Sequence, residues 1–432
     1  MNKIKNVAGF LVSLCIMLAL VACAPGEKGI NIVIVNAQAL DGSVYDEQDA
    51  IARTVATGAN DFAFRLSAAL AKEVGNANFV CSPYSVWMPL AALVNATDEQ
   101  NKEDLLLALG AAGIVEEDIN RAAARMLYDL TKVQNEEYKE YYNPLKIANA
   151  IFVGQDVTLK KDFAQVFMDY YRGSAINVDF SSKDAVAAVN NWASKNTDGL
   201  ITDLVQEFDP MTIAAIANAI YFSDRWEWEF DPQKTTEAPF YAPVSESTAF
   251  YMLRSGDSQT YYEDDKMQAM PLRFKTGGGM YIILPKTGDA TEFLASMTSE
   301  YFDEIQRDSI QATGKLLLPR FSIESNIDDL KSALELLGVP LFNNMAAPLT
   351  GGIIEEDTQV WLSDAIQKAV LEVDEKGTTA AAVTVLPVAG AGMPQPTEPF
   401  EMICDKPFVF ILFEYTYDGG SQILFTGIVN RP

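Results

Sequence analysis

The chain contains no histidine among its 432 residues, and this absence limits the chemistry that it can perform. A Ser-His-Asp or Cys-His nucleophile system cannot be built, and a histidine-ligated zinc site is excluded. Acidic pairs such as Glu355-Glu356 and Asp264-Asp265 have the composition of solvated surface. We therefore expect no enzyme activity, no metal site and no cofactor.

A run of three glycines, Gly277–Gly279, could suggest a phosphate-binding loop. It lies between Arg273-Phe274 and an apolar segment, Met280–Pro285, and neither a helix nor a Gly-Lys-Ser/Thr element follows it. The glycines therefore predict a hairpin turn rather than a nucleotide site.

One stretch near the C-terminus has the composition of a strand that can enter an existing sheet. The charged residues Asp374-Glu375-Lys376 are followed by Gly377, and then by threonine, alanine and valine up to Val385. Small side chains permit burial between two strands, and Gly377 would supply a hinge. On composition alone, the same stretch is also typical of an exposed loop. The residues that would share the buried face of such a strand are Thr378, Ala380, Ala382 and Thr384.

The N-terminus has the pattern of a secretory signal, which is excluded from the fold. Met1–Lys5 carries positive charge, Val7–Ala22 is almost entirely apolar, and Leu20-Val-Ala-Cys23 closes the segment. This ending resembles a bacterial lipobox, in which Cys23 is lipidated and becomes the first mature residue; the alternative is an ordinary signal with an incidental cysteine. We expect a signal peptide over 1–22, a tether over 23–54 and one domain over 55–432. The protein would be secreted across the cytoplasmic membrane and held at the cell surface by lipid alone.

Composition argues against nucleic acid as a partner. The formal charge is -27, and 49% of the residues are hydrophobic, which suffices for one large core or two modest domains. Such an acidic chain repels nucleic acid and anionic membrane surfaces. Cys81 and Cys404 lie in hydrophobic contexts and are interpreted as buried thiols. We expect a monomer.

Helices and strands are predicted in an irregular order. That order favours an α+β fold over a doubly wound sheet. Helices are expected to begin at Asn60 and at Pro83, to end at Gly199, and to cover 330–337. Strands are expected over 146–153, 213–222, 280–285 and 316–322, and a final hairpin over 408–415 and 422–429.

Several short segments resemble those of the serpin family, in the same order and at similar spacing. The resemblance covers nearly the whole chain after about residue 55. It implies an α+β serpin fold with three β-sheets (A, B and C), about nine helices and an exposed reactive-centre loop at about 375–400. The segments are Phe79–Ser85, Ala217–Phe222 with Trp226, Leu318–Ser322, Asp329–Ser332 with Leu337-Gly338, Asp374–Thr378, Lys406–Phe410 and Phe425–Pro432.

The resemblance also implies roles for individual residues. Ser82, Ser85 and Asn218 would lie in the shutter below the point where sheet A opens, and Trp226 would pack in the breach, where loop insertion begins. Without the family context, Ser82, Ser85 and Asn218 would be interpreted as a helix cap and an ordinary buried amide. The implied hinge is Glu375, Lys376, Gly377, Thr378, Thr379, Ala380, Ala381 and Ala382, and the implied reactive bond joins Ala391 to Gly392.

Three features depart from the family pattern. Many relatives carry a histidine in the breach, and Gln367 stands at the corresponding position of this chain. Thr379 replaces an acidic residue that is common in the hinge. The interval from Gly377 to Lys406-Pro407 is longer than in many relatives, which leaves Val388, Ala389 and Met393 as alternative cleavage positions.

The resemblance implies an irreversible inhibitor of a serine protease, with a cysteine protease as an alternative target. The alternative function is a non-inhibitory serpin that acts as a binding or structural protein at the surface. Bulky, charged or proline residues in the hinge would favour that alternative, and the part of the hinge from Thr378 to Ala382 contains threonine and alanine instead.

Ala391→Arg tests the position of the reactive bond. An alanine before the cut fits a shallow pocket, so the expected target is elastase-like or subtilisin-like; no arginine or lysine lies between Lys376 and Lys406. The substitution should abolish inhibition of an elastase-like enzyme and create inhibition of trypsin. Mass spectrometry of the released peptide should show that it begins at Gly392. Unchanged elastase inhibition with a different peptide terminus would show that the bond lies elsewhere.

Overall fold

The computed structural model describes residues 50–432 except 132–144, 198, 200, 210–211, 328–329, 356–357, 364, 379–398 and 417–418. The predicted signal peptide, Cys23, most of the tether, Thr379–Ala382 and the Ala391-Gly392 bond lie outside the described residues. None of the helices in the described ranges is both long and apolar enough to cross a bilayer.

Nine α-helices are present in the described ranges. Their first turns explain several of the boundaries: Ser82 caps the second helix ahead of Pro83, and Asp98 accepts from the backbone N–H groups of Gln100 and Asn101. The helices are α1 (Ala50–Val74), α2 (Pro83–Leu93), α3 (Glu99–Ala108), α4 (Glu116–Thr131), α5 (Lys161–Tyr171), α6 (Lys183–Asn196), α7 (Ala290–Ser296), α8 (Ser299–Asp308) and α9 (Leu330–Leu336).

The strands include long apolar runs near the C-terminus that are buried on both faces. They are β1 (Phe79–Cys81), β2 (Leu145–Gly154), β3 (Gly173–Val178), β4 (Ala214–Phe222), β5 (Asp224–Arg225), β6 (Thr236–Tyr241), β7 (Glu246–Glu263), β8 (Met267–Arg273), β9 (Gly279–Pro285), β10 (Ile310–Pro319), β11 (Phe321–Ile327), β12 (Gln367–Val373), β13 (Gly377–Thr378), β14 (Phe400–Ile403), β15 (Phe408–Tyr415) and β16 (Ser421–Val429).

The expected α+β fold with sheets A, B and C is confirmed. Sheet B runs β1-β16-β15-β9-β8 and ends on the last residues of β7; sheet C is formed by β6, the rest of β7, β10 and β14. Sheet A consists of two groups, β3-β2-β4 and β11-β12, together with the short pair β5-β13. Within the described ranges, β4 and β12 form no ladder with one another.

The hydrophobic core has two parts. The larger part lies around sheet B and the helices α1, α2, α7 and α8, and it includes most residues of strands β15 and β16. The smaller part lies between α6 and strands β2, β3 and β4, and it contains Ala150, Phe152 and Val189. The edge of sheet A beside the opening is therefore supported from one side by α6.

Most predicted elements are present, but some are longer than predicted and one is divided into two strands. The helix predicted from Asn60 begins at Ala50, and the helix predicted up to Gly199 begins at Lys183, behind a Ser182 cap. Gly277–Gly279 joins β8 to β9 as a hairpin, as predicted. The terminal hairpin is also confirmed as β15-β16.

The predicted strand 316–322 is divided between two sheets. β10 ends at Pro319 in sheet C, and β11 begins at Phe321 in sheet A. Pro319 has no N–H group to extend a ladder, and the Arg320 N–H donates to Phe250 O at 2.9 Å. The junction places Arg320 beside the hinge.

Candidate functional site

The described hinge residues form a short strand at one end of the opening in sheet A. β13 pairs antiparallel with β5, so that Gly377 faces Arg225 and Thr378 faces Asp224. A tight turn connects β13 to β12: the Asp374 side chain accepts from the N–H groups of Lys376 (2.8 Å) and Gly377 (3.1 Å). The chain thus leaves β12, turns, and begins a strand next to the continuation of β4.

Gly377 is required by close approach to β5. An ideal Cβ at this position would lie 2.0 Å from Asp224 O and 2.7 Å from Arg225 Cα. Real Cβ atoms do not approach backbone so closely, so a side chain would push β13 away from β5. Thr378 is 1% exposed, and its Oγ1 accepts from the Asp224 N–H at 3.1 Å.

Glu375 anchors the start of the hinge through its side chain and its backbone. The carboxylate, which is 5% exposed, accepts from Thr235 Oγ1 at 2.6 Å and from Arg320 Nε at 2.9 Å, with a second contact to Arg320 Nη2. Its carbonyl accepts from the Phe230 N–H at 2.8 Å. Burial tends to raise the pKa of Glu375, but the hydrogen bonds from Arg320 and Thr235 outweigh it and lower the pKa.

Trp226 holds the same turn from the other side. Its ring is fully buried and stacks on Phe274, with centroids 4.9 Å apart and planes 9° from parallel. The indole N–H donates to Asp374 O at 2.9 Å, and the backbone N–H donates to Lys376 O at 2.8 Å. Trp226 therefore contacts the turn that precedes β13, at one end of the opening.

Buried carboxyl groups also lie close to the hinge. Asp224 accepts from the N–H and hydroxyl of Thr276, yet burial raises its pKa overall. Burial likewise raises the pKa of Glu414 to about 8, against a backbone hydrogen bond from Tyr415 and with the charge of Asp224 adding to the increase. A raised carboxyl pKa means that the native state loses stability as the pH rises through that value.

Ser82 and Ser85 lie at the other end of the opening, around Gln367. Gln367 Nε2 donates to Ser82 O (2.8 Å) and Ser85 Oγ (2.7 Å), and Gln367 Oε1 accepts from the Ser82 N–H (2.9 Å). The placement of Gln367 in the breach is wrong: it begins β12, whereas Trp226 contacts the turn after the end of β12. The sequence pattern identified the departure but not the end of the strand at which it lies.

Asn218 projects from the middle of β4 toward the same opening. Its Nδ2 donates to Asn149 Oδ1 at 2.7 Å, and Asn149 in turn donates to Tyr171 O at 2.8 Å. Asn218 Oδ1 is buried without a hydrogen-bond partner among the described residues. It contributes to a small cavity of about 70 Å³ that is also lined by Ser85 and Gln367. An acceptor is therefore available on the edge of β4.

A second cavity of about 250 Å³ continues along the opening. It is bounded by Ala214–Ala217 on β4, by Ala365-Ile366 ahead of β12 and by Phe152 and Val189 beneath. The first five residues of β4 are only partly buried, which fits the position of β4 at the edge of the β3-β2-β4 group. The half of the opening nearer to Gln367, which we call its lower half, is thus lined by small and aliphatic side chains.

The structure places Glu375–Thr378 and Trp226 at one end of the opening, and Ser82, Ser85 and Asn218 along the rest of it. The sequence gives no signal for several of their partners, Arg320, Asp224, Thr276 and Asn149. Cys81 and Cys404 are free and buried, as predicted, and burial raises the pKa of Cys81 to about 11 and also that of Cys404. Among the described residues, no cluster of three or more acidic or cysteine side chains is arranged to hold a metal ion.

Comparison with known proteins agrees with this geometry. The family profile described as Serpin (serine protease inhibitor) matches residues 57–432, so the chain belongs to the serpin family. It is 30% identical over 400 residues to alpha-1-antitrypsin 1-4 of Mus musculus, covering 91% of this chain and 93% of that protein.

Solved structures show the same fold. The thermophilic serpin tengpin in the native state superimposes with a TM-score of 0.76 at 24% identity, covering 92% of this chain and 96% of that one. Thyroxine-binding globulin in complex with thyroxine gives a TM-score of 0.75 at 24% identity, covering 87% and 99%.

Glu375→Gln tests the anchor of the hinge. A lowered pKa means that the carboxylate stabilises the native state above the ordinary value of 4.5 and that this contribution is lost as the pH falls through the native pKa. The variant should be less stable by about 1–3 kcal/mol at pH 7. The difference in melting temperature from the wild type should shrink below pH 4.5. An unchanged difference across this range would show that the charge of Glu375 is not what holds the turn.

Proposed function

We propose that this serpin is an inhibitor that traps its target protease by inserting the cleaved reactive-centre loop between β4 and β12. The observation that supports the proposal most directly is β13, a strand of small residues that already pairs at one end of an opening between two unpaired strand edges. The next residues, Thr379–Ala382, are also small. They would continue β13 as a new central strand.

The covalent step would occur at the Ala391-Gly392 bond. The serine hydroxyl of the target attacks the Ala391 carbonyl, the bond to the Gly392 nitrogen breaks, and the serine proton leaves with the new amine. Ala391 is then esterified to the protease. Insertion of the loop carries the esterified protease across the molecule and deforms its active site before water can hydrolyse the ester.

The opening offers a driving force for this movement. Each new ladder hydrogen bond contributes about 0.5–1.5 kcal/mol, and burial of valine and threonine side chains adds to it. Over a dozen residues, the total is on the order of 10 kcal/mol, comparable to the whole stability of a domain. Asn218 Oδ1 is one acceptor that an inserted strand could engage.

The loop composition favours an elastase-like or subtilisin-like serine protease as the target, with a cysteine protease as an alternative. A non-inhibitory binding role is the competing function, since the family fold also carries proteins such as thyroxine-binding globulin. The two functions differ in one measurable result, an SDS-stable complex with a protease.

Thr378→Arg tests the insertion mechanism. Thr378 is buried against β5, and an unpaired charge there should prevent β13 from extending into the sheet. With a susceptible elastase-like protease, the variant should be cleaved in the loop without forming the covalent complex; Ala380→Glu should do the same. Thr379→Arg is the matched control, because its side chain would point to the opposite face. Complex formation that persists in both buried-face variants would contradict insertion.

Cleavage of the wild-type loop should also raise the melting temperature by tens of degrees, because an inhibitory serpin is held in a metastable state. A cleaved form that melts at or below the intact protein, together with no complex across a protease panel, would support the non-inhibitory function.

We also propose that Cys23 is lipidated and anchors the protein to the membrane at the bacterial cell surface. The support is the sequence Leu20-Val-Ala-Cys23 after an apolar signal. Stable anchoring requires two or more acyl chains, since one chain binds only reversibly. The tether after Cys23 would keep the inhibitory domain clear of the lipid surface.

Cys23→Ser tests the anchor. The variant should either appear in the soluble fraction or keep its signal, while the soluble domain inhibits as the wild type does. Cys15→Ser, within the signal, is the matched control and should stay with the membrane. A correctly processed Cys23→Ser protein that remains membrane-bound would contradict lipid anchoring at this cysteine.

A further inference from the structure

A cavity of about 530 Å³ lies between sheets B and C, apart from the opening in sheet A. It is bounded by β7 where that strand passes from its partner β10 toward its partner β8, and by the segment 228–234 on the other side. Leu253, Met270 and Pro271 supply apolar surface. The volume is within the range of about 300–1,000 Å³ that is usual for small-molecule sites.

Gln259 places an unpartnered acceptor in the wall of this cavity. The residue is 9% exposed, and its Nε2 donates to Gly314 O at 2.9 Å. Because a carbonyl can only accept, this bond fixes the orientation of the amide and leaves Oε1 as the free atom. Gln259 Oε1 is buried without a hydrogen-bond partner among the described residues. Oε1 is itself covered by protein atoms, so a donor from a ligand in the cavity reaches it only after a shift of the Gln259 side chain.

The neighbouring hydroxyl and amide groups do not supply that donor. Ser258 Oγ bonds to Gln311 Oε1 at 3.1 Å, and Gln311 Nε2 donates to Thr260 Oγ1 at 2.8 Å. These groups satisfy one another along the rim. Gln259 is therefore distinct from the other polar residues of the wall.

Two arginines give the cavity a positive wall on a protein whose formal charge is -27. Arg254 donates to Trp228 O and lies 4.6 Å above the Phe230 ring, and burial lowers its pKa to about 10, with the charge of Glu227 opposing the change. Arg273 lies beside it and interacts with the same exposed Glu227. In the part of the chain that the structure describes, neither arginine forms a salt bridge.

The remaining charged groups of the wall each have a partner of opposite charge, inside or next to the wall. Glu229 lies 3.0 Å from Lys275 and 3.3 Å from Arg225. Asp231 accepts from the Gln233 N–H at 3.0 Å and lies 4.0 Å from Lys234. The arginine side of the cavity thus has more positive charge than its neighbours balance.

We propose that this cavity binds a small organic anion that combines a ring system with a hydrogen-bond donor. The carboxylate or sulfonate would lie at Arg254 and Arg273, and the rings between Trp228 and the apolar side chains. The donor would bind Gln259 Oε1 once that side chain has shifted toward the cavity. Guanidinium groups suit this task because they hold planar anions through paired N–H donors.

The same wall segment also holds the hinge. The Phe230 N–H donates to Glu375 O and the Trp226 N–H donates to Lys376 O, each at 2.8 Å, while Arg254 contacts Trp228 and Phe230 from the cavity side. An occupied cavity therefore stiffens the segment that clamps the hinge and slows loop insertion. This second effect rests on the proposed inhibitory function, whereas binding does not.

The probe is anilinonaphthalenesulfonate, which carries rings, an anion and an N–H donor; its neutral counterpart without the sulfonate is N-phenylnaphthylamine. Fluorescence titration of the intact protein should give saturable binding of the sulfonate, and the neutral counterpart should bind about tenfold more weakly, the loss of one charge-assisted contact. Arg273→Gln should weaken sulfonate binding by a similar factor. Arg307→Gln, which removes an exposed arginine on α8 outside the cavity, is the control for charge and should not.

Ser258→Trp tests the location, because a large ring at this lining residue fills the cavity. Asp257→Trp adds the same ring on the adjacent residue, which does not line the cavity, and is the control for bulk. Loss of binding in the first variant only, with circular dichroism and melting temperatures unchanged in both, supports the site. Equal binding in both variants, equal affinity for the two probes, or no saturable binding would overturn it. Complex formation with protease, measured with and without the sulfonate, reports the effect on the hinge separately.

Discussion

The structure depends on two strand edges that lie beside one another without forming a ladder. β4 and β12 each carry backbone donors and acceptors toward the opening, and unpaired groups of this kind favour the addition of another strand. The side chains on the two edges keep the opening accessible, since Ala214–Ala217 are small or aliphatic. At the lower end, the amide of Gln367 bonds to Ser82 and Ser85 rather than across the gap to β4.

At the upper end of the opening, opposite to Gln367, several kinds of contact hold the first residues of the hinge in the short strand β13. Gly377 permits backbone contact with β5, Glu375 binds Arg320 and Thr235, and Trp226 donates to the turn. These contacts fix where a new strand begins without fixing how far it extends. Local stability at the start of the strand is therefore separate from the free energy that further pairing would release.

The absence of histidine gives this opening a particular electrostatic character. The amide of Gln367 does not titrate, so the lower end of the opening keeps its hydrogen bonds across the physiological pH range. The groups near the upper end are carboxyls instead: burial raises the pKa of Asp224 and that of Glu414, whereas Arg320 and Thr235 lower that of Glu375. These shifts of the carboxyl pKa values make the contacts at the hinge end dependent on pH.

The sequence by itself determined the fold class, the terminal hairpin and the glycine turn at Gly277–Gly279, because each depends on local pattern: apolar runs and turn residues. It also excluded histidine chemistry outright. Only the tertiary structure brought Arg320 to Glu375, Asp224 to Thr378, and Gln367 to Ser82. These pairs are separated by 55, 154 and 285 positions in the chain, and a single sequence carries no signal for which distant polar groups meet. The strand break at Arg320 and the position of Gln367 were decided in the same way, by which sheet each residue joins and at which end of its strand it lies.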